Sequence, residues 1–478
     1  MQMISFAFFG LVLAVFLLLR LVDAFVKDEH RSILAANGIL LAASYAFMFY
    51  ADWRFAAALA AMTIAAWGFA KRKDTCKYGI IFSVAVLAVF KYTNFFLDSF
   101  ARLFGYRFDL LHIILPLGIS FYAFSAISYL ADVSRKKIES ASLLHVALYL
   151  SFFPKLLSGP IQSSGDFFGQ VGKKRTVGWA SFAPGIQIFV FGLFKKMVLA
   201  DHLMAFVDQV YGTPLAFGSL TVFMAAVAYS LQIYFDFSGY SDMAIGVAKV
   251  LGFDLPRNFN LPYLAHNVTE FWKRWHITLS TWLHTYLYIP LGGNRKGTAR
   301  TYINLLLTML IGGIWHGANW TYVLWGLLHG AALAAHKMWM ALTHSSEKKH
   351  SAFLNILSVC LTFLFTTFCW IFFRADSISQ AFLIIGRILS FERGLEQPYF
   401  WLFAALIVLA FANILAYRKS PKGAGPGLDR KTNVSSVEGY YPFVDLTTFW
   451  GLVVFFVFCG MLLCLAYTDG SPFIYGSY

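Results

Sequence analysis

Charge is scarce in this chain: 13% of its 478 residues are Asp, Glu, Lys or Arg, where an ordinary soluble domain carries about 25%. With 59% of the residues hydrophobic, a water-soluble globule is excluded, because that much apolar surface cannot be hidden from water. Cysteine is also sparse. Cys76, Cys360, Cys369, Cys459 and Cys464 are an odd set, four of them inside apolar runs, which excludes a disulfide framework and leaves the compartment undefined. No His-x-x-x-His or Cys-x-x-Cys pair occurs, and no carboxylate stands at ligand spacing beside His316. A metal built from His276, His284, His316 and His329 would need long-range convergence, so no metal ligands are expected. Ser238 lacks the Gly-x-Ser-x-Gly elbow of a serine hydrolase, Gly-rich phosphate signatures are missing, and no internal repeat is visible.

What the chain has instead is a succession of long apolar runs. Each crossing of a bilayer takes about 20 residues, so about ten to thirteen spans fit, and the expected fold is an all-α, polytopic transmembrane bundle. The runs lie near residues 4–26, 33–51, 55–70, 78–98, 113–132, 142–158, 181–200 and 216–235. After a break they resume near 301–315, 320–342, 352–374, 398–417 and 447–468. They are expected to form one membrane domain, with N-terminal spans in 1–110, a motif-bearing core in 115–374 and C-terminal spans in 398–478. The run from Ile4 to Val22, charged only at Arg20, outlasts the apolar region of a signal peptide and is expected to stay attached as the first span.

The +14 formal charge does not form a nucleic-acid stripe, because the cations sit in short clusters between apolar runs. Lys71 to Lys73 with Lys77, Arg135 to Lys137, and Arg418 through Lys431 are placed on the cytoplasmic side by the positive-inside rule, and the partner implied is a lipid bilayer. Aromatics gathered near run ends, such as Tyr45, Phe49, Tyr50 and Trp53, fit interfacial anchoring.

From Phe253 to Arg300 the pattern changes: Pro256, Pro262, Pro290, paired glycines and many charges interrupt the apolar residues. Irregular backbone at membrane depth survives only where protein or a polar cavity surrounds it, so short, broken or re-entrant helices around a polar pocket are expected. Three stretches there and beside it carry candidate chemistry. QIYFDFSGYSDMAIG places Asp236 and Asp242 after an apolar run, where they either cap a helix and pair with Arg257 or Arg274, or act directly. In NVTEFWKRWHITLSTWLHTYLYIPLGG, Thr269 and Glu270 suit a helix start, and Trp272, Trp275, Leu279, Trp282 and Leu283 recur at helical spacing. One amphipathic helix would then carry Lys273, His276 and Ser280 on roughly one face, with interfacial docking as the plain role of Lys273 and Arg274. In GGIWHGANW, His316 sits within an apolar run beside Trp315, among Gly312, Gly313 and Gly317, which allow close approach of backbone or ligand. A buried imidazole is either a satisfied core group or a neutral general base, with Asn319 a candidate to orient the ring.

FPKLLSGPIQ at 153–162, YFDFSGYSDMAIG at 234–246, FWKRWHITLSTWLHTYLYIPLGGNR at 271–295 and GGIWHGANWTYVLWGLLHG at 312–330 together resemble the membrane-bound O-acyltransferases, close to the bacterial alginate O-acetyltransferase branch. The resemblance runs from about Leu115 to Arg374. It implies a helical bundle enclosing a central funnel, with His316 as the catalytic histidine and His276 as the second functional one. It also implies a cytoplasmic acyl thioester, acetyl-CoA or an acyl-carrier protein, as donor substrate with no bound cofactor. Lys273, Arg274, Arg295 and Lys296 would meet the donor phosphates. The implied setting is the bacterial plasma (inner) membrane. The implied partners are a periplasmic or extracellular acetyltransferase of the SGNH serine-hydrolase type and a surface polysaccharide acceptor. At the end of the chain Phe473, Ile474 and Tyr475 fit the family pattern, whereas Gly476, Ser477 and Tyr478 depart from it. D-alanyl transfer to teichoic acid and a membrane transporter are the alternative readings.

Overall fold

A computed structural model describes residues 3–106, 111, 113–343, 351–419 and 444–467, with side chains of 411–419 left aside. The basic residues of the 418–431 cluster and the terminal 473–478 segment therefore lie outside the described side chains. The described chain is helical, and its one β feature is an isolated bridge between Phe217 and Leu395. It divides into two compact units: residues 1–192, 240–256 and 443–455 in the first, residues 193–239, 257–442 and 456–478 in the second.

The first unit begins with α1 (Phe6–Phe25), α2 (Glu29–Ala51), α3 (Trp53–Ala70) and α4 (Cys76–Phe104). Side-chain caps start the first three: Ser5 accepts from the Phe8 amide, Asp28 from Arg31 and Asp52 from Arg54. There follow α5 (Ile119–Ser134), α6 (Leu143–Ser151), α7 (Ser164–Val171) and α8 (Trp179–Leu193). The second unit contains a π-helical stretch, Phe194–Ala200, then α9 (Asp201–Gly212) and the first part of α10 (Ser219–Val250). It continues with α11 (Val268–Arg274), α12 (Ile277–Leu283), a π turn at His284–Tyr288, α13 (Thr298–His316), α14 (Trp320–Thr343), α15 (Ala352–Arg374), α16 (Ile378–Leu389) and α17 (Phe400–Lys419). The helix α18 (Phe449–Leu465) starts in the first unit and ends in the second.

Among the described residues, seven segments are long and apolar enough to cross a membrane: α1, α2, α3, Lys73–Phe104, Trp179–Gly212, α10 and α15. Two expected spans differ in kind. The 113–132 run becomes the 16-residue α5, about 24 Å long at 1.5 Å per residue, and almost every one of its side chains is buried in protein. The 142–158 run becomes the nine-residue α6. Proline and glycine cut both short. Gly118 opens α5 at φ +73°, where a Cβ would stand 2.7 Å from the Leu156 carbonyl oxygen, and Pro154, Gly159 and Pro160 stop α6 from continuing. Conversely, α10 runs for 32 residues, straight through the polar QIYFDFSGYSDMAIG stretch expected to end it. Its polar side chains face protein on all sides, so the helix keeps its own backbone bonds while Gln232, Asp236, Ser238 and Asp242 are buried.

The paired helices α13 and α14 meet through glycine. A Cβ on Gly313 would lie 2.3 Å from the Tyr322 carbonyl oxygen, and one on Gly326 would lie 2.5 Å from that of Met309. Glycine at both positions lets the two backbones approach this closely, although neither helix, expected as a span near 301–315 or 320–342, is among those seven segments.

Candidate active site

The expected single amphipathic helix over the FWKRWHITLSTWL stretch is broken at its centre. The chain turns at His276, whose φ of +40° lies in the left-handed region, between two seven-residue helices. Asn267, rather than Thr269, caps α11, accepting from the Glu270 amide. The break is sewn to the preceding loop: the Asn260 amide donates to the Arg274 carbonyl at 2.9 Å, and the Ile277 amide donates to that of Asn258 at 2.8 Å. Lys273, His276 and Ser280 therefore do not form one helical edge. Lys273 is exposed, His276 fully buried and Ser280 half-buried, with its hydroxyl donating to the Trp275 carbonyl at 3.3 Å.

A side-chain oxygen fixes the chemistry of His276. The Asn258 Oδ1 accepts from the Thr278 amide (3.3 Å) and the Thr278 hydroxyl (2.9 Å), and it lies 3.0 Å from His276 Nδ1. Because that oxygen is an acceptor, Nδ1 is the protonated nitrogen and Nε2 keeps its lone pair. The Nε2 atom is buried and has no hydrogen-bond partner among the described residues. Burial pushes the ring's pKa down to about 3, so the imidazole is neutral at pH 7. A neutral imidazole with an open lone pair can take a proton from a hydroxyl that reaches it.

His316 ends α13, buried, with its ring edge-on to Trp315, Trp325 and Phe373 at centroid distances of 4.9, 5.0 and 5.2 Å. Gly317 follows in extended backbone, and a Cβ there would meet the Tyr322 ring at 2.1 Å, so glycine permits the close turn away from the histidine. Trp315 also contacts the His276 ring, at 6.4 Å between centroids. One indole thus joins the two histidines expected to share the chemistry. His329, a residue that sequence reasoning weighed only as a metal ligand, lies against the other side of Trp325 at 4.9 Å. Its Nδ1 accepts from Trp272 Nε1 at 3.2 Å, so its proton is on Nε2, the tautomer opposite to that of His276. Among the described residues no group of three His, Cys, Asp or Glu side chains gathers at metal-binding spacing.

The remaining candidates have other placements. Arg274, expected at a membrane surface, is buried and ion-paired with Glu270 at 2.7 Å within its own short helix. Burial, which alone would raise the Glu270 pKa, is outweighed by hydrogen bonds from the His266 amide and from Arg274, and the carboxyl lies below its ordinary range. Asn319 does not orient His316. Its amide donates to the Asp376 carbonyl at 2.9 Å and its oxygen accepts from the Thr321 amide at 3.1 Å, which ties the start of α14 to the end of α15. Asp236 pairs with Lys196 at 2.6 Å, and the same ammonium reaches Asp201 at 2.8 Å. Lys196, in the π-helical stretch, went unnoticed in sequence as one half of a Lys-Lys pair. Asp242 is buried six residues further along α10, in the first unit. Arg295 and Lys296 are exposed.

The described chain thus combines several long apolar helices with two buried histidines on a shared tryptophan. Residues 93–377, more than half of the chain, match the membrane-bound O-acyltransferase family, and the chain belongs to that family. It is 36% identical over 476 residues to the probable alginate O-acetylase AlgI of Pseudomonas putida, covering 92% of this chain and 94% of that protein. The peptidoglycan O-acetyltransferase of Helicobacter pylori is 42% identical over 334 residues, 64% of this chain and 63% of that protein. A teichoic acid D-alanyltransferase of Bacillus subtilis is more distant, 26% identical over 271 residues, 53% of this chain and 67% of that protein. The chain is accordingly a multi-pass membrane acyltransferase, and the transporter reading falls away.

Proposed function

We propose that the protein is an O-acetyltransferase of a bacterial plasma membrane, passing acetyl groups from cytoplasmic acetyl-CoA toward a cell-surface polysaccharide. The observation that carries this reading is the buried His276–Trp315–His316 cluster, in which the His276 imidazole is held with a free lone pair. His316 takes the proton of an acceptor hydroxyl as its oxygen attacks the thioester carbonyl. The C–S bond breaks, and the departing thiolate takes up that proton from the His316 imidazolium, which restores the neutral base. His276 Nε2 serves as the hydrogen-bond acceptor that aligns the incoming hydroxyl. Trp315, Trp325 and Phe373 keep water away from the acyl group.

No cofactor is bound in this scheme; the thioester is a substrate. Exposed Lys273, Arg295 and Lys296 are the cations available to its phosphates, whereas Arg274 is already committed to Glu270. The acceptor on the far side is a serine-hydrolase-like acetyltransferase of the SGNH type, which completes delivery to the polymer. Alginate and peptidoglycan are the acceptor chemistries named for the relatives at 36% and 42% identity, and they support O-acetyl over D-alanyl transfer. The test is mass spectrometry of surface polysaccharide from cells carrying the wild type or His316→Ala at equal membrane abundance. Loss of acetyl from the polymer is expected in the variant, and undiminished acetylation overturns the mechanism. A D-alanyl adduct in the wild type would move the protein to the teichoic acid branch.

A further inference from the structure

Away from the histidines, the first unit holds a buried cation that the acyl-transfer reading does not use. Lys155, in the Phe-Pro-Lys turn after α6, is 6% exposed. Its Nζ lies 4.2 Å from the centre of the Tyr149 ring and 4.4 Å from that of Phe167, so two aromatic faces cover it. No carboxylate pairs with it, and Nζ makes no hydrogen bond among the described residues. A buried ammonium without a counter-charge is costly, and ring quadrupoles offset only part of that cost.

Lys155 is one of the residues lining a cavity with a free volume of about 10 Å³, the size of one water-sized sphere. Tyr122 also lines it, and its buried hydroxyl has no partner either. Phe121, Leu150, Leu156 and Ile161 make an apolar back wall, and no acidic residue lines the cavity. The turn that carries Lys155 is rigid. A Cβ on Gly159 would stand 2.4 Å from the Lys155 Cα, and the Leu156 carbonyl is packed against Gly118. Lys155, Tyr122 and Ser125 are thus the charged and polar side chains around a space for a single atom that is otherwise lined by apolar residues, glycine and proline.

We propose that this cavity binds a small monovalent anion, a halide or one oxygen of a short carboxylate such as acetate, with Lys155 supplying the counter-charge and Tyr122 a hydrogen bond. Phosphate is too large and too strongly hydrated for a one-atom space backed by apolar side chains. The full-length protein in detergent is tested by thermal unfolding as gluconate is replaced at constant ionic strength by chloride, and separately by acetate. A saturable rise in Tm is expected with at least one of the two, and the ion that produces it identifies the ligand as halide or carboxylate. Lys155→Met, which retains the aliphatic stem, is expected to lose the saturable response. Tyr122→Phe is expected to move its midpoint to several-fold higher concentration. A wild type that responds to neither ion, or a Lys155→Met that titrates like the wild type, overturns the proposal. If Lys155→Met does not fold, an unchanged midpoint in Tyr122→Phe overturns it equally.

Discussion

His276 holds its proton on Nδ1 because Asn258, eighteen residues earlier in the chain, offers it an oxygen at 3.0 Å that the Thr278 amide already marks as an acceptor. The pair converts a buried imidazole into one with a defined basic nitrogen. Asn258→Leu removes the acceptor while keeping the volume, and the ring is then free to take either tautomer. Acetyl transfer is expected to fall roughly tenfold to a hundredfold at unchanged protein abundance, less than the 10²–10⁴-fold that a proton-transfer group typically contributes. Asn258→Asp, which keeps an oxygen in place, is expected to retain more activity than Asn258→Leu. Equal activity in Asn258→Leu and wild type would remove the tautomer from the mechanism.

That pair also marks the limit of what the sequence makes legible. The apolar runs of α1 to α4 and α15 are visible because a lipid-facing helix needs about 20 apolar residues, and nothing else about its neighbours matters to that count. The run that becomes α5 looks the same, yet it is a short helix buried in protein, because hydropathy does not distinguish lipid from a protein interior. The helical spacing of Trp272, Trp275, Leu279 and Trp282 persists across a real break at His276. What opens the helix there is a set of hydrogen bonds accepted by Asn258 and donated by Asn260, and long-range pairing leaves no local periodicity. His316 stood out in the sequence by the cost of placing a titratable ring among apolar residues, whereas His276 stood out only as part of a helical edge with Lys273 and Ser280 that the break removes. Lys196 did not, because a lysine beside another lysine at the end of an apolar run reads as an interfacial charge.

Glycines in the membrane helices divide sharply by what a side chain would meet. Gly313→Ala places a methyl 2.3 Å from the Tyr322 carbonyl oxygen, on backbone that cannot yield without parting α13 from α14. A loss of about 1–3 kcal/mol is expected, together with reduced activity, because His316 lies one helical turn away. Gly10→Ala on α1 meets nothing within 4 Å and is expected to be neutral or slightly stabilising. Thermal unfolding of the two variants in one detergent checks the contrast, and equal Tm values would refute the packing argument.

Lys196 stands between two buried carboxylates, at 2.8 Å from Asp201 and 2.6 Å from Asp236. Lys196→Met removes the cation that these two buried carboxylates share. Breaking a buried pair from one side typically costs about 3–5 kcal/mol, and a low yield of folded protein is expected. The triple variant Lys196→Met, Asp201→Asn, Asp236→Asn neutralises all three groups with little change of shape and is expected to recover part of that loss. Yield and Tm after detergent extraction are the measurements. A triple variant no more stable than Lys196→Met would show that the carboxylates have a different stabilising role.

Glu270 gives a pH dependence whose sign follows from its surroundings. The His266 amide and the Arg274 guanidinium favour its ionised form more than burial opposes it, so its pKa in the folded protein lies below the unfolded value. A group of this kind contributes stability that is fully present above the ordinary carboxylate pKa of about 4.5 and is lost as pH falls through the depressed folded value. The wild type is therefore expected to lose Tm more steeply below about pH 4.5 than Glu270→Gln, which has no carboxylate to protonate. Near pH 7 the order reverses: Glu270→Gln is the less stable of the two, because Arg274 is then a buried cation that has lost the carboxylate 2.7 Å away. A Tm profile of the two proteins between pH 3 and pH 7 tests both halves, and parallel curves would show that the Glu270–Arg274 pair does not contribute to holding α11 beside the break at His276.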